Sequence, residues 1–151
     1  RIGLAAFSSY GWYLVDRTVE WARTTKDADG VAIAERPWVQ ANLAEAYALV
    51  DAMKVMNWRM AWELEQGRLS AADASAVKVF GTECLIDAYR LLIEVVGPQA
   101  TLRGDASTGD LAATLENEYR AATINTFGGG VNEVQRELVA MLGLRLPRAA
   151  R

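Results

Sequence analysis

Apolar positions in this 151-residue chain recur at threes and fours over long stretches. That spacing stacks side chains on one face of an α-helix. Leu4, Phe7, Gly11, Leu14, Thr18 and Trp21 follow it and predict a first helix over residues 2–23. Residues 24–35 contain Asp29-Gly30 and read as a loop. A second helix is predicted from Pro37, whose fixed φ suits a first turn. It carries Leu43, Tyr47, Val50, Met53, Met60 and Leu64 on one stripe and stops at Gly67. Ser70 reads as an N-cap, with Asp73 completing a weak capping box. The third helix presents Val77, Phe80, Cys84, Ala88, Leu91 and Val95 and ends at Gly97-Pro98. Residues 99–109 are a polar loop, and 110–126 a fourth helix with Leu111, Leu115, Tyr119 and Ile124 at helical spacing. Gly128-Gly129-Gly130 breaks it. A last helix from Val131 turns Val134, Leu138 and Met141 inward and ends near Gly143. No apolar–polar alternation lasts long enough for a strand. The pattern predicts an all-α fold: an up-down four-helix bundle with an additional short C-terminal helix.

Composition narrows the chemistry. With 52% hydrophobic and 23% charged residues, the chain suits one globular domain over residues 1–151. A net charge of −3 argues against a nucleic-acid binder held by phosphate contacts. No apolar run reaches the roughly 18–20 residues of a membrane span. The single cysteine, Cys84, excludes an internal disulfide and suits a reducing compartment. The absence of histidine removes Cys/His zinc sites, Ser-His-Asp triads and histidine bases together. No metal site is expected.

Carboxylates remain as acid–base candidates. Glu63 and Glu65, like Glu116 and Glu118, lie two apart on a helix, so neither pair shares a face, and both read as solvated. The five tryptophans, Trp12, Trp21, Trp38, Trp58 and Trp62, read as core, with stacking on a flat ligand as the alternative and Trp58 and Trp62 as a packed pair. Met53, Met56 and Met60 read as adaptable core. Arg1, Arg23, Arg120 and Arg136 are candidates to fork onto a phosphate or carboxylate, with surface ion pairs as the alternative. The most unusual local feature is the glycine run just before a helix start. It frees the backbone to approach a ligand beside unpaired amides, or it is simply a flexible turn. The chain also opens without Met, and the reading is of a start inside a larger protein, at a helix.

The stretch Gly129-Gly130-Val131-Asn132-Glu133-Val134-Gln135-Arg136 is followed by Leu138-Val139-Ala140 and then by Leu142-Gly143-Leu144-Arg145-Leu146-Pro147-Arg148. Upstream, Arg59-Met60-Ala61-Trp62-Glu63-Leu64-Glu65-Gln66-Gly67 and Ala76-Val77-Lys78-Val79-Phe80 lead without a gap to Val96-Gly97. This ordered set resembles the C-terminal helical domain of acyl-CoA dehydrogenases, whose closing signature is Gly-Gly-Thr-Asn-Glu-Ile-Gln-Arg; Arg120 also falls at the family's spacing before the glycines. The resemblance covers nearly the whole chain. It implies that a glutamate removes the α-proton of an acyl-CoA and that FAD accepts the β-hydride, giving the trans-2-enoyl-CoA. It further implies separate N-terminal helical and middle β domains, absent from this chain, and FAD shared across a subunit interface. Homo- or hetero-oligomers, electron-transferring flavoprotein as oxidant and a cytoplasmic, bacterial location also follow from it.

Carried over residue by residue, the resemblance gives a cofactor-binding set of Arg23, Glu94, Gly97, Gly129, Gly130, Val131 and Glu133. Arg23 matches an arginine that reaches FAD phosphate across the dimer, but Lys26 replaces the aromatic that follows it. Glu94 stands where many members have glutamine, and Pro98 where they have a second glycine. Val131 replaces a threonine that donates to FAD. Asn132 is retained, and Arg136 matches the signature arginine. No catalytic base falls within the chain. Gly129 occupies one family base position, and the other would immediately precede Arg1. The expected role is the C-terminal domain of a flavin-dependent acyl-CoA dehydrogenase, inactive alone and not retaining FAD by itself. The alternative is a non-catalytic structural subunit of a heteromeric enzyme.

Overall fold

The computed structural model describes residues 4–148, with side chains from Ser8 onward. Five α-helices account for most of it: α1 (Leu4–Thr24), α2 (Pro37–Glu65), α3 (Ala71–Val96), α4 (Leu111–Asn125) and α5 (Asn132–Leu138). Short 3₁₀ turns occupy Ile33–Glu35, Pro98–Thr101 and Ala106–Thr108, and α5 runs into a π turn at Val139–Gly143. Among the described residues the only β pairing is an isolated bridge between Lys26 and Ala32. The fold is all-α, as the spacing predicts.

Local chemistry sets the boundaries. Pro37 opens α2, where a missing N–H costs nothing. The Asp73 amide donates to Ser70 Oγ at 3.0 Å at the start of α3. The reciprocal half of the predicted capping box differs: the Asp73 carboxylate accepts from the Ser70 hydroxyl. Aspartate is too short to reach back comfortably to the backbone amide that Glu or Gln would take. Asp110 caps α4 by accepting from the Ala113 amide at 2.9 Å. Gly97 ends α3 with φ +95° and ψ −166°, a conformation open essentially to glycine alone.

The core gathers around α3, half of whose 26 residues are buried. Leu85, Leu92 and Ala88 meet Leu14 and Val15 of α1, Val50 and Met53 of α2, and Leu115 of α4. At Gly11 an added Cβ would stand 3.1 Å from Leu85 Cδ2 and 3.3 Å from Val50, so α1 packs there by lacking a side chain. A second small cluster, Ala22, Val39 and Val95, joins the end of α1 to the start of α2 and the end of α3.

Several positions at the predicted apolar spacing face out. On α2 the buried face is Val39, Ala46, Val50, Met53 and Asn57, while Tyr47 and Leu64 are half exposed. Tyr47 sits at the edge of the stripe, and Leu64 at the end of the helix. Ile124 and Val134 are exposed as well, in the last turn of α4 and on the short α5. Of the five tryptophans, Trp12 and Trp21 are partly buried against the core as read, whereas Trp38, Trp58 and Trp62 are exposed. Trp58 (65% exposed) and Trp62 (53%) do not stack on each other. Each pairs with a cation instead, Lys54 with Trp58 and Arg68 with Trp62. Lys54 also lies over Trp12, whose ring meets Tyr47 edge-on. The predicted last helix is a two-turn α5 that widens into the π turn, where the Leu144 amide donates to Val139 O.

Candidate functional site

The glycine run forms a tight turn between α4 and α5. The Gly128 amide donates to Ile124 O, the Gly130 amide to Phe127 O, and the Asn132 amide back to Thr126 O. Gly129 (φ +72°) and Gly130 (φ +104°) occupy the left-handed region. An added Cβ at Gly129 would meet nothing within 4 Å, so this side of the turn faces open space. No backbone acceptor is found for the amides of Gly129 and Val131 among the described residues. Val131 precedes α5 in extended conformation, and Glu133 is exposed in its first turn.

A polar cluster on α3 holds this turn. Lys78 Nζ donates to Thr126 O at 2.8 Å and to Asn132 Oδ1 at 2.5 Å. The other end of the buried Asn132 carboxamide donates to Glu83 Oε1 at 2.9 Å and to Thr82 Oγ1 at 3.1 Å. Glu83 also pairs with Arg136 at 2.7 Å, which carries the contact onto α5. The Arg136 hydrogen bond and that from Asn132 hold the Glu83 carboxyl below its ordinary range, against the opposing effect of burial. Burial pulls the Lys78 ammonium down, with Glu133 and Glu83 acting the other way. Lys78, Thr82 and Glu83 are not among the site residues read from the sequence. Their signal was a lysine, threonine and glutamate at i, i+4 and i+5 on a helix otherwise predicted apolar on its inner side.

The remaining predicted residues lie at the other end of the bundle. Glu94 is exposed near the end of α3 and accepts from Asn42 Nδ2 of α2 at 3.0 Å. Gly97 caps the same helix. Arg23 is exposed in the last turn of α1, next to Ala22 of the small cluster that includes Val95. Glu94 and Lys78 are sixteen residues apart on one helix, or about 24 Å at 1.5 Å per residue. The structure therefore forms two groups: Gly129, Gly130, Val131 and Glu133 at one end, and Arg23, Glu94 and Gly97 at the other. Arg1 lies outside the described residues. Arg120 pairs with Glu116 at 2.9 Å, the ordinary surface alternative. Cys84 is buried beside Met53 and Gly81, and burial pushes its thiol up to about 12, so it stays protonated and unreactive at neutral pH. Among the described residues no group of three or more acidic or Cys side chains converges as a metal site.

An all-helical domain with an open glycine turn strapped to its central helix is a defined class, and comparison with known proteins places it. The model of the acyl-CoA dehydrogenase C-terminal domain matches residues 1–144, and the chain belongs to this family. It is 48% identical over 135 residues to acyl-CoA dehydrogenase FadE26 of Mycobacterium tuberculosis, covering 87% of this chain and 34% of that protein. It superposes on a chain of the ChsE4-ChsE5 complex from Mycobacterium tuberculosis with TM-score 0.85 and 46% identity, covering 94% of this chain and 37% of that one. The Tcur3481-Tcur3483 steroid ACAD gives TM-score 0.87 and 41% identity, covering 97% and 37%. The chain thus spans about a third of the length of these relatives.

Proposed function

We propose that this chain is the C-terminal domain of an FAD-dependent acyl-CoA dehydrogenase, residues 1–151 forming one domain that supplies part of the flavin site and part of a subunit interface. The observation that carries the reading is the open glycine turn, with two left-handed glycines and two amides that find no backbone acceptor among the described residues, at the signature position of the family. The donor set fits FAD in its parts. Exposed Arg23 suits a phosphate, and the Gly129 and Val131 amides suit a carbonyl or phosphate oxygen. Glu94 and Glu133 accept only, so they suit ribose hydroxyls or a ring N–H. Val131 offers a backbone amide and no hydroxyl. The two ends of the bundle are too far apart for one compact ligand. A long dinucleotide shared between chains, with Arg23 serving a neighbour's cofactor, accommodates both groups. Bound FAD supplies the hydride acceptor, and this chain's residues hold and orient it.

The side of α2 bearing Tyr47, Val55, Trp58 and Trp62 is exposed and apolar, which suits burial against another subunit of the same fold. The solved relatives include a two-component complex, ChsE4-ChsE5, and a steroid ACAD. They favour a heteromeric parent acting on a steroid-derived acyl-CoA in the bacterial cytoplasm, with electron-transferring flavoprotein as oxidant. In the second reading the parent subunit is structural, since Gly129 stands at one base position. The residue encoded before Arg1 separates the two: glutamate supports a catalytic subunit, an apolar residue a structural one.

The test is direct. The full-length parent, alone or with its partner subunit, should purify with a flavin spectrum that bleaches on adding a steroid or fatty acyl-CoA. The 151-residue chain should show neither flavin nor turnover. A flavin-free parent complex, or turnover by the isolated chain, would sink the proposal.

A further inference from the structure

We propose that Lys78 is the positioning residue of the glycine turn: by tying both ends of the turn to α3, it sets the face that the turn presents to FAD. The inference rests on the reading above. The turn has no side chains of its own at residues 128–130, so its placement depends on its two ends. One end is the Thr126 carbonyl at the close of α4, the other the Asn132 carboxamide at the opening of α5. The Lys78 ammonium donates to both. An ammonium has three donors and no acceptor, so it draws two oxygens toward one point. The carboxamide cannot rotate away, because its nitrogen is committed to Glu83 and Thr82. Val131 and Glu133, which flank Asn132, are thereby held in register with α3.

Lys78 is only partly buried, and its charge is directed at the two oxygens of the turn. Burial opposes its charge, and the carboxylates that face it, Glu133 on α5 and Glu83 on α3, offset this without removing it. An apolar residue of similar length would escape that cost, but it would leave the Thr126 carbonyl and the buried Asn132 Oδ1 without this donor. What Lys78 contributes is therefore concentrated at the turn.

The experiment compares wild type with Lys78→Met and Lys78→Arg, and with Lys78→Gln should the Met variant not fold. In the 151-residue chain, hydrogen–deuterium exchange of residues 127–133 should speed up about tenfold in K78M. The thermal midpoint should stay within about 3 °C. Arg, which also donates to two oxygens, should restore slow exchange. In the full-length parent, K78M should bind FAD about tenfold more weakly and lose the structured flavin absorption envelope, with K78R rescuing both. Unchanged exchange at the turn overturns the proposal, as does faster exchange spread evenly over all helices. Loosened exchange with undiminished FAD binding reduces Lys78 to a strap and overturns the positioning role. If the wild-type parent binds no FAD, the reading of the flavin site fails, while the exchange data still decide whether Lys78 orders the turn.

Discussion

At the residue scale, Glu83 shows how one side chain links fold stability to the site. It accepts from Arg136 and Asn132 together, which joins α3 to the start of α5. Its folded carboxyl titrates below the ordinary 4.5, so the unfolded chain takes up the proton first as pH falls. The contribution is therefore complete above the unfolded value and is lost as pH drops through the lower folded one. Glu83→Gln should lower the thermal midpoint at pH 7, and the gap from wild type should shrink in acid. Melting curves from pH 7 to 3 read it directly, and a constant gap would show that the carboxylate charge is irrelevant. Salt should also narrow the gap, because the pair is partly exposed.

At the element scale, the glycine run divides its labour. Gly130 combines a φ of +104° with a Cβ position 2.5 Å from Gln135 Nε2. Gly128 has neither constraint: its Cβ would lie 3.8 Å from the Asn125 carbonyl. Gly130→Ala should cost about 1–3 kcal/mol in urea denaturation, mostly through backbone strain. Gly128→Ala should stay within about 0.5 kcal/mol. Equal effects would mean that the turn is simply flexible. The sequence run announced freedom for all three glycines, but which two use it depends on where α5 begins, and Lys78 and Asn132 fix that from a distance. The same limit explains the other departures. Helical spacing located α1 to α4 to within a few residues, because Pro37, Ser70, Gly97 and Asp110 act locally. Facing was less legible. Tyr47, Ile124 and Val134 fit an apolar period yet point outward, since period alone does not say which neighbour covers a stripe. The turn was visible as a candidate site from its glycines, whereas its anchor was hidden among motif residues on a helix fifty positions earlier.

At the scale of the whole molecule, α2 has one side in the core and another that stays half exposed or more, touched by Trp12 at Tyr47. Tyr47, Val55, Trp58 and Trp62 follow each other at helical spacing on that open side. The cations over these rings, Lys54 and Arg68, cover part of the aromatic surface without removing it from water. The 151-residue chain should form dimers or tetramers by light scattering at high concentration, and Trp58→Glu with Trp62→Glu should shift it toward monomer without loss of helicity. A wild-type chain that stays monomeric would count against this face as a contact. α3 is the opposite case, with neighbours on nearly every side: α1, α2, α4, α5 and the π turn all pack on it. Its residues have little room to drift over evolutionary time, because a change that suits one neighbour must also suit the next. Lineages of this domain should therefore diverge fastest on the outer side of α2 and in residues 99–109, and slowest along α3, even at positions that touch no ligand.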